Sequence, residues 1–200
     1  SRPIRLSAID TNASAVAFSS DGQLMATGST TGTLAVWNVS NPIAPVQIDA
    51  VQSAHEGAVE SLAFAPGSRV LASAGSDQQL RFWQVTDLKS ITPLGTPSML
   101  FGGKLVSLAF SPDGALLAAG DDVSQITLWD VTNPQAPLQL GEPVNVGLSV
   151  TGIFAGRDAR QNREVNKLAF TRDSRTVIAA WPVATNDGRT VDDPPKQFDV

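Results

Sequence analysis

The chain has 200 residues, 42% of them hydrophobic and 16% charged, with a net charge of −5. That composition can bury a core and excludes a disordered tail, and its acidic balance argues against a general nucleic-acid binder. Cysteine is absent, which excludes a disulfide framework and a thiolate zinc site and fits a cytoplasmic setting, and no run of about 18 apolar residues marks a membrane span.

In chain order, residues 3–9 read as a strand left from a preceding unit. From there the text repeats. Phe18, Phe64 and Phe110 stand 46 residues apart, and so do Trp37, Trp83 and Trp129. An aromatic pair recurring in step marks one supersecondary unit copied along the chain. The units cover about residues 10–54, 55–100, 101–147 and, incomplete, 164–200.

The second unit is the fullest. Residues 58–64 (AVESLAF) alternate as a strand with one bulge, with Val59, Leu62 and Phe64 as packing positions. Pro66-Gly67-Ser68 is a turn, residues 70–73 a short strand, and residues 75–78 a second turn. Residues 80–83 end a third strand on the large ring of Trp83, and a looser fourth follows near residues 92–97. Four short antiparallel strands in about 45 residues predict an all-β propeller blade rather than a βαβ unit or a helical repeat. Blades one and three carry the same pattern.

After the third unit the spacing breaks. Phe110 to Phe170 is 60 residues, 14 more than the repeat, which places an insert at about residues 147–163. The fourth unit starts at Val165-Asn-Lys-Leu-Ala-Phe170, and residues 181–196, rich in Pro, Asp and Gly, read as a long surface loop. The basic residues Arg157, Arg160, Arg163, Lys167, Arg172 and Arg175 read as a solvated stretch, because Asp158, Glu164 and Asp173 interrupt them. The chain opens on Ser-Arg-Pro and closes on Phe198-Asp-Val200, at the place where earlier units reach their Trp. It reads as a fragment of a larger propeller, with three whole blades and most of a fourth.

The residues resemble the WD40 repeat family. His55 precedes the first strand of its unit, Phe-Ser-Pro-Asp-Gly closes a first strand at residues 110–114, and Trp129-Asp130 ends a third strand. Trp37 is followed instead by Asn38 and Trp83 by Gln84, and only the second unit has the His. Linkers repeat as well: Val39-Ser-Asn-Pro-Ile-Ala-Pro returns as Val131-Thr-Asn-Pro-Gln-Ala-Pro. That linker text is similar to WD40 arrays of large bacterial multidomain signalling proteins. Gly102-Gly-Lys-Leu lacks the upstream Gly and the hydroxyl residue of a phosphate-binding loop.

His55, Ser73 and Asp77 invite a hydrolase triad, with Ser as nucleophile, His as base and Asp to orient it. No G-x-S-x-G elbow surrounds Ser73. The resemblance implies another role: with Trp83 they form a structural hydrogen-bond tetrad inside the blade. The matching positions Ile9, Thr27, Thr31 and Trp37, and Phe101, Ala119, Val123 and Trp129, are mostly not tetrad types. Blades one and three are therefore expected to hold together mainly by packing.

The resemblance also implies partner-binding positions at the start of the first strands and in the turns after the second. Here they are Ser14, Thr30, Ala58, Glu60, Ser76, Lys104, Val106, Asp122, Glu164 and Asn166. Trp181, where other units keep Ser29, Gly75 and Asp121, reads as a contact residue or a cover for the adjoining insert. Asp121-Asp122 is expected as a solvated turn, with no metal site. Asn12 and Asn38 each open a glycosylation sequon, and Asn38 takes the place of the Asp in the Trp-Asp pair, so that match reads as chance. The expected function is non-catalytic: a WD40 scaffold or sensing module for an unidentified protein partner, with no cofactor and no nucleic acid. The alternative is a propeller enzyme or small-ligand binder using the central channel. It would need convergent charged or metal-binding residues at equivalent places in several units, which the repeat positions do not supply.

Overall fold

The computed structural model describes residues 12–86, 89–98, 102–146, 165, 167–180, 182–184, 190–192 and 196–200. Within them the protein is all β, in blades of antiparallel strands arranged as a propeller.

Blade one holds β1 (Ala13–Phe18), β2 (Leu24–Ser29), β3 (Leu34–Asn38) and β4 (Val46–Val51) in that spatial order. Blade two repeats it with β5 (Val59–Phe64), β6 (Val70–Gly75), β7 (Leu80–Thr86) and β8 (Ser90–Ser98). Blade three has β9 (Leu105–Phe110), β10 (Leu116–Asp121), β11 (Gln125–Asp130) and β12 (Leu138–Asn145). Blade four has β13 (Lys167–Phe170), β14 (Thr176–Ala180) and β17 (Lys196–Asp199). Residues 181–196, expected as a loop, carry a hairpin of β15 (Pro182–Ala184) and β16 (Thr190–Asp192) between β14 and β17. The expected leading strand at residues 3–9 and the insert at 147–163 lie outside the described residues.

The first strands β1, β5, β9 and β13 lie side by side along the propeller axis. Three cores form where a blade meets the next. Leu62, Phe64, Leu71 and Trp83 of blade two pack on Ala26, Leu34 and Val36 of blade one. Leu108, Leu117 and Trp129 of blade three pack on Ala72, Ala74, Leu80 and Phe82 of blade two. Leu168 and Val177 of blade four pack on Ala118 and Ile126 of blade three. In each core the face toward the next blade contributes alanines among its larger side chains. Gly28 and Gly120 sit where a Cβ would collide with Val59 and Val165 of the following blade. The missing side chain sets that close approach.

The turns after the first strands repeat as well. The Ser111 hydroxyl bonds Asp113 at 2.6 Å and accepts the Leu116 N–H at 2.9 Å. Ser19 with Asp21, and Thr171 with Asp173, do the same. These hydroxyls hold all three Asp carboxyls below the usual range, helped by the backbone N–H two residues on. Asn38, in the place of Asp130, accepts from Ser40 as Asp130 does from Thr132. The Asn therefore keeps the turn without the charge.

Candidate functional site: the rim of bulged first strands

In each of the first three blades the first strand slips by one residue at the same place. The pairing of β1 with β2 passes from Ala13 to Ala15, that of β5 with β6 from Val59 to Ser61, and that of β9 with β10 from Leu105 to Ser107. The unpaired residues are Ser14, Glu60 and Val106, three of the rim positions singled out above. A bulge frees one residue from the ladder and re-aims its side chain while the flanking strand stays fixed.

The other rim positions are tied to the bulges. Ser76 donates its N–H to the Ala58 carbonyl at 2.9 Å, and Asp122 donates to the Lys104 carbonyl at 3.1 Å. The Asp122 carboxylate accepts the Lys104 N–H at 3.0 Å. Glu60 and Lys104 face each other across blades two and three at 3.5 Å, both partly exposed. Thr30 is exposed at the matching turn of blade one. Ser14 turns inward: its hydroxyl bonds the carbonyls of Gly28 at 3.1 Å and Val59 at 2.8 Å, which commits it to joining blades one and two. Glu164, Asn166 and Trp181 lie outside the described residues. Of the described rim positions, Glu60 and Asp122 carry carboxylates and Lys104 an ammonium.

Sequence reasoning missed two further interblade bonds. Ser61 accepts the Leu108 N–H and Ser107 accepts the Leu168 N–H, each at 3.1 Å. Ser61 and Ser107 are themselves 46 residues apart, so the repeat held the signal. Nothing in the repeat said that the donor belongs to the next blade.

Beneath the rim of blade two, His55, Ser73, Asp77 and Trp83 form one continuous chain. The Trp83 indole donates to the Ser73 hydroxyl at 2.8 Å, Ser73 meets His55 Nε2 at 2.7 Å, and His55 Nδ1 meets Asp77 at 2.8 Å. Proton accounting fixes the roles: Ser73 donates to Nε2, and Nδ1–H donates to the carboxylate. His55 is neutral in this order, and burial holds its pKa below the usual value despite the hydrogen bond and charge of Asp77. Burial works to raise Asp77, but the bonds from His55, Glu56 N–H and Gln79 N–H outweigh it and hold the carboxyl below the usual range. Gly75 leaves the space: a Cβ there would collide with the His55 ring and Asp77.

Blades one and three, expected to hold together mainly by packing, each add one indole hydrogen bond. Trp37 donates to the Thr27 hydroxyl at 3.0 Å, and Trp129 to the Thr127 hydroxyl at 3.1 Å. A buried indole N–H is costly without an acceptor, and each blade supplies one. Asp121 also corrects the sequence reading. It is 2% exposed, not a solvated turn residue, and accepts the N–H groups of Val123 at 3.0 Å and Gln125 at 2.7 Å. Burial raises its pKa, against those two bonds. Ser29 accepts the matching N–H groups of Thr31 and Thr33 in blade one. Among the described residues no three His, Asp or Glu cluster as a metal site would.

The family model "WD domain, G-beta repeat" matches residues 6–38, 47–84 and 95–130, more than half of the chain. No curated protein matches it. Among solved structures, the computationally designed Ika4 protein superposes with a TM-score of 0.63 at 19% identity, covering 96% of this chain and 94% of that one. The outer coat vertex of COPII on membranes and the COPII coat assembled on membranes each give 0.66 at 17% identity over 88% of this chain. The chain spans 45% and 25% of those two coat chains. At such identities the likeness is one of fold.

Proposed function

This chain belongs to the WD40 repeat family, and we propose that it is a non-catalytic scaffold that binds a protein partner on its rim. The observation that carries the reading is the bulge recurring at Ser14, Glu60 and Val106. A rigid disc of strands spends three irregularities at one edge, and irregular edges are where binding residues sit. The described rim positions carry two carboxylates against one ammonium, so the partner segment is expected to bring Lys or Arg, which would steer its approach. The linker text shared with bacterial signalling proteins supports a place for the chain as the sensing array of such a protein.

The triad-like set does not favour a hydrolase. Ser73 is 0% exposed, and its hydroxyl already serves Trp83 and His55. A nucleophile needs a path for the carbonyl it attacks and a site for the oxyanion beside it.

The test is photo-crosslinking from a benzophenone residue placed at Glu60 on the rim or at Arg69 on the opposite face. The reading expects a discrete protein adduct from the rim position only, lost in a second protein carrying Glu60→Lys and the probe at Val106. Equal capture from both faces, or capture indifferent to the rim charge, would overturn it.

A further inference from the structure

We propose that the cleft between blades one and two, beside a bulge in β8, binds a small organic carboxylate with an apolar body. Arg81 takes the carboxylate, and Val51, Trp83, Pro93 and Leu94 take the body. The inference is independent of the rim reading.

The cleft begins in a repeated piece of text. Leu94-Gly-Thr-Pro97 returns as Leu140-Gly-Glu-Pro143. At both places the outer strand leaves its ladder. Phe82 pairs with Leu94 and Leu80 with Ser98, so Gly95, Thr96 and Pro97 stand opposite Arg81 alone. Leu128 pairs with Leu140 and Ile126 with Val144, so residues 141–143 stand opposite Thr127. Extra residues on one strand bend it and break the pairing beside them. Gly95 has a φ of 66°, and a Cβ there would collide with the Gln135 carbonyl of blade three. Blade three therefore braces the bulge from one side, and the cleft opens on the other.

That cleft has a volume of about 370 Å³, with Val51 of blade one facing Arg81, Trp83, Pro93 and Leu94 of blade two. The size is at the low end for ligand sites and suits a small acid rather than a length of peptide. Arg81 is the one charged group among the described residues that line it. Its place holds Ala35 in blade one and Thr127 in blade three, so the blade itself does not require a cation there.

The partners of Arg81 leave it capacity for an anion. Nε and Nη2 donate to the Gln79 amide oxygen at 3.1 and 2.6 Å, a neutral acceptor that fixes the guanidinium plane. Asp77 lies 3.7 Å from Nη2, beyond a hydrogen bond, and already accepts from His55 and from the N–H groups of Glu56 and Gln79. Nη1 has no bond to a described residue. The Arg81 side chain is 22% exposed, and a charge-assisted hydrogen bond is stronger in such a partly dry place than on open surface.

The experiment titrates the 200-residue protein with phenylacetate and, in parallel, with phenylacetamide, which keeps the shape and loses the charge. Calorimetry gives the affinity, and nitrogen–proton spectra give the place. Phenylacetate is expected to bind and to shift the Trp83 indole and the Leu94 and Gly95 amides, with Glu60 and Val106 on the rim unmoved. Exchanging the acid for the amide, or Arg81→Gln, should each weaken binding by about 10- to 100-fold, as loss of a hydrogen bond to a charged group does. Val51→Trp fills the cleft from blade one, leaves Arg81 in place and should abolish binding. Thermal unfolding checks that both variants fold; the amide comparison and the spectra use the unaltered protein and decide even where a variant does not. No binding at millimolar phenylacetate, equal binding of the amide, shifts confined to other blades, or binding that survives Val51→Trp would each overturn the proposal. Tighter binding of acetyl-glycyl-glycyl-phenylalanine than of phenylacetate would overturn it too, by assigning the cleft to a peptide terminus.

Discussion

Thr127 stands opposite Ala119 across the β10–β11 ladder and carries the hydroxyl that Ala119 lacks. In blade two the Trp83 indole finds Ser73 on the second strand; in blade three the Trp129 indole finds Thr127 on its own strand, and Thr127 lies 3.4 Å from the Ala119 carbonyl. The acceptor has moved across one rung, and the buried donor is still served. Thr127→Val should therefore cost about 1–3 kcal/mol, the range for stripping a buried hydrogen-bond partner. Ala119→Ser in the same chain should recover part of the loss, measured by urea denaturation. A second substitution that adds no stability would show that the two positions are not interchangeable.

In blade two, His55→Ala should cost about 1–3 kcal/mol by leaving Ser73 and Asp77 without their shared partner. Trp83→Ala should cost more, about 3–5 kcal/mol, since it removes a buried ring as well as the N–H. Thermal unfolding of both variants orders them, and an equal or reversed order would contradict the packing described for Trp83.

Gly75→Ala should remove the same network from the other side, because its Cβ takes the space of the His55–Asp77 contact. Overpacking of this kind costs about 1–3 kcal/mol. Combined with His55→Ala, the two losses should fall well short of adding, since residues in one network couple. Additive losses in a double-mutant cycle would separate Gly75 from the tetrad.

The pH dependence follows from the same four residues. Burial lowers the His55 pKa in the folded protein from 6.5, so the unfolded chain binds the proton more readily. Stability is then fully present above that value and is lost as pH falls toward the folded pKa. Asp77, lowered from 3.8, adds a further loss at lower pH, as the medium falls through its folded pKa. His55→Ala should flatten the slope just below pH 6.5 and also weaken the more acidic one, since His55 is the first of the partners that hold Asp77 low, read from urea midpoints across pH.

Asp121 has the opposite sign. Its raised pKa means that the folded state holds the proton more tightly than the unfolded chain, so its contribution falls as pH rises from 3.8 through the folded value. Asp121→Ser should keep acceptors for the Val123 and Gln125 N–H groups, as Ser29 does in blade one, and remove that pH term. Asp121→Ala should lose both bonds and destabilise blade three at neutral pH. Hydrogen exchange at Val123 and Gln125 distinguishes the two variants.

The 46-residue step, the Phe and Trp anchors, the alternation of the strands and the turn text determined the blade architecture without any structure. Those are local constraints, written along the chain by period and steric preference. The tetrad was legible because its four residue types sit at recognisable places in the repeat. What the tertiary structure alone decided is where hydrogen bonds go once strands pair. Register put the bulge at Glu60 and Val106, moved the indole acceptor from position 119 to Thr127, and pointed Ser61 and Ser107 at the next blade. It also buried Asp121, which looks like an ordinary turn residue in one dimension. A donor's partner and a carboxylate's solvent depend on strands and blades distant in sequence, and no window of the chain carries that information.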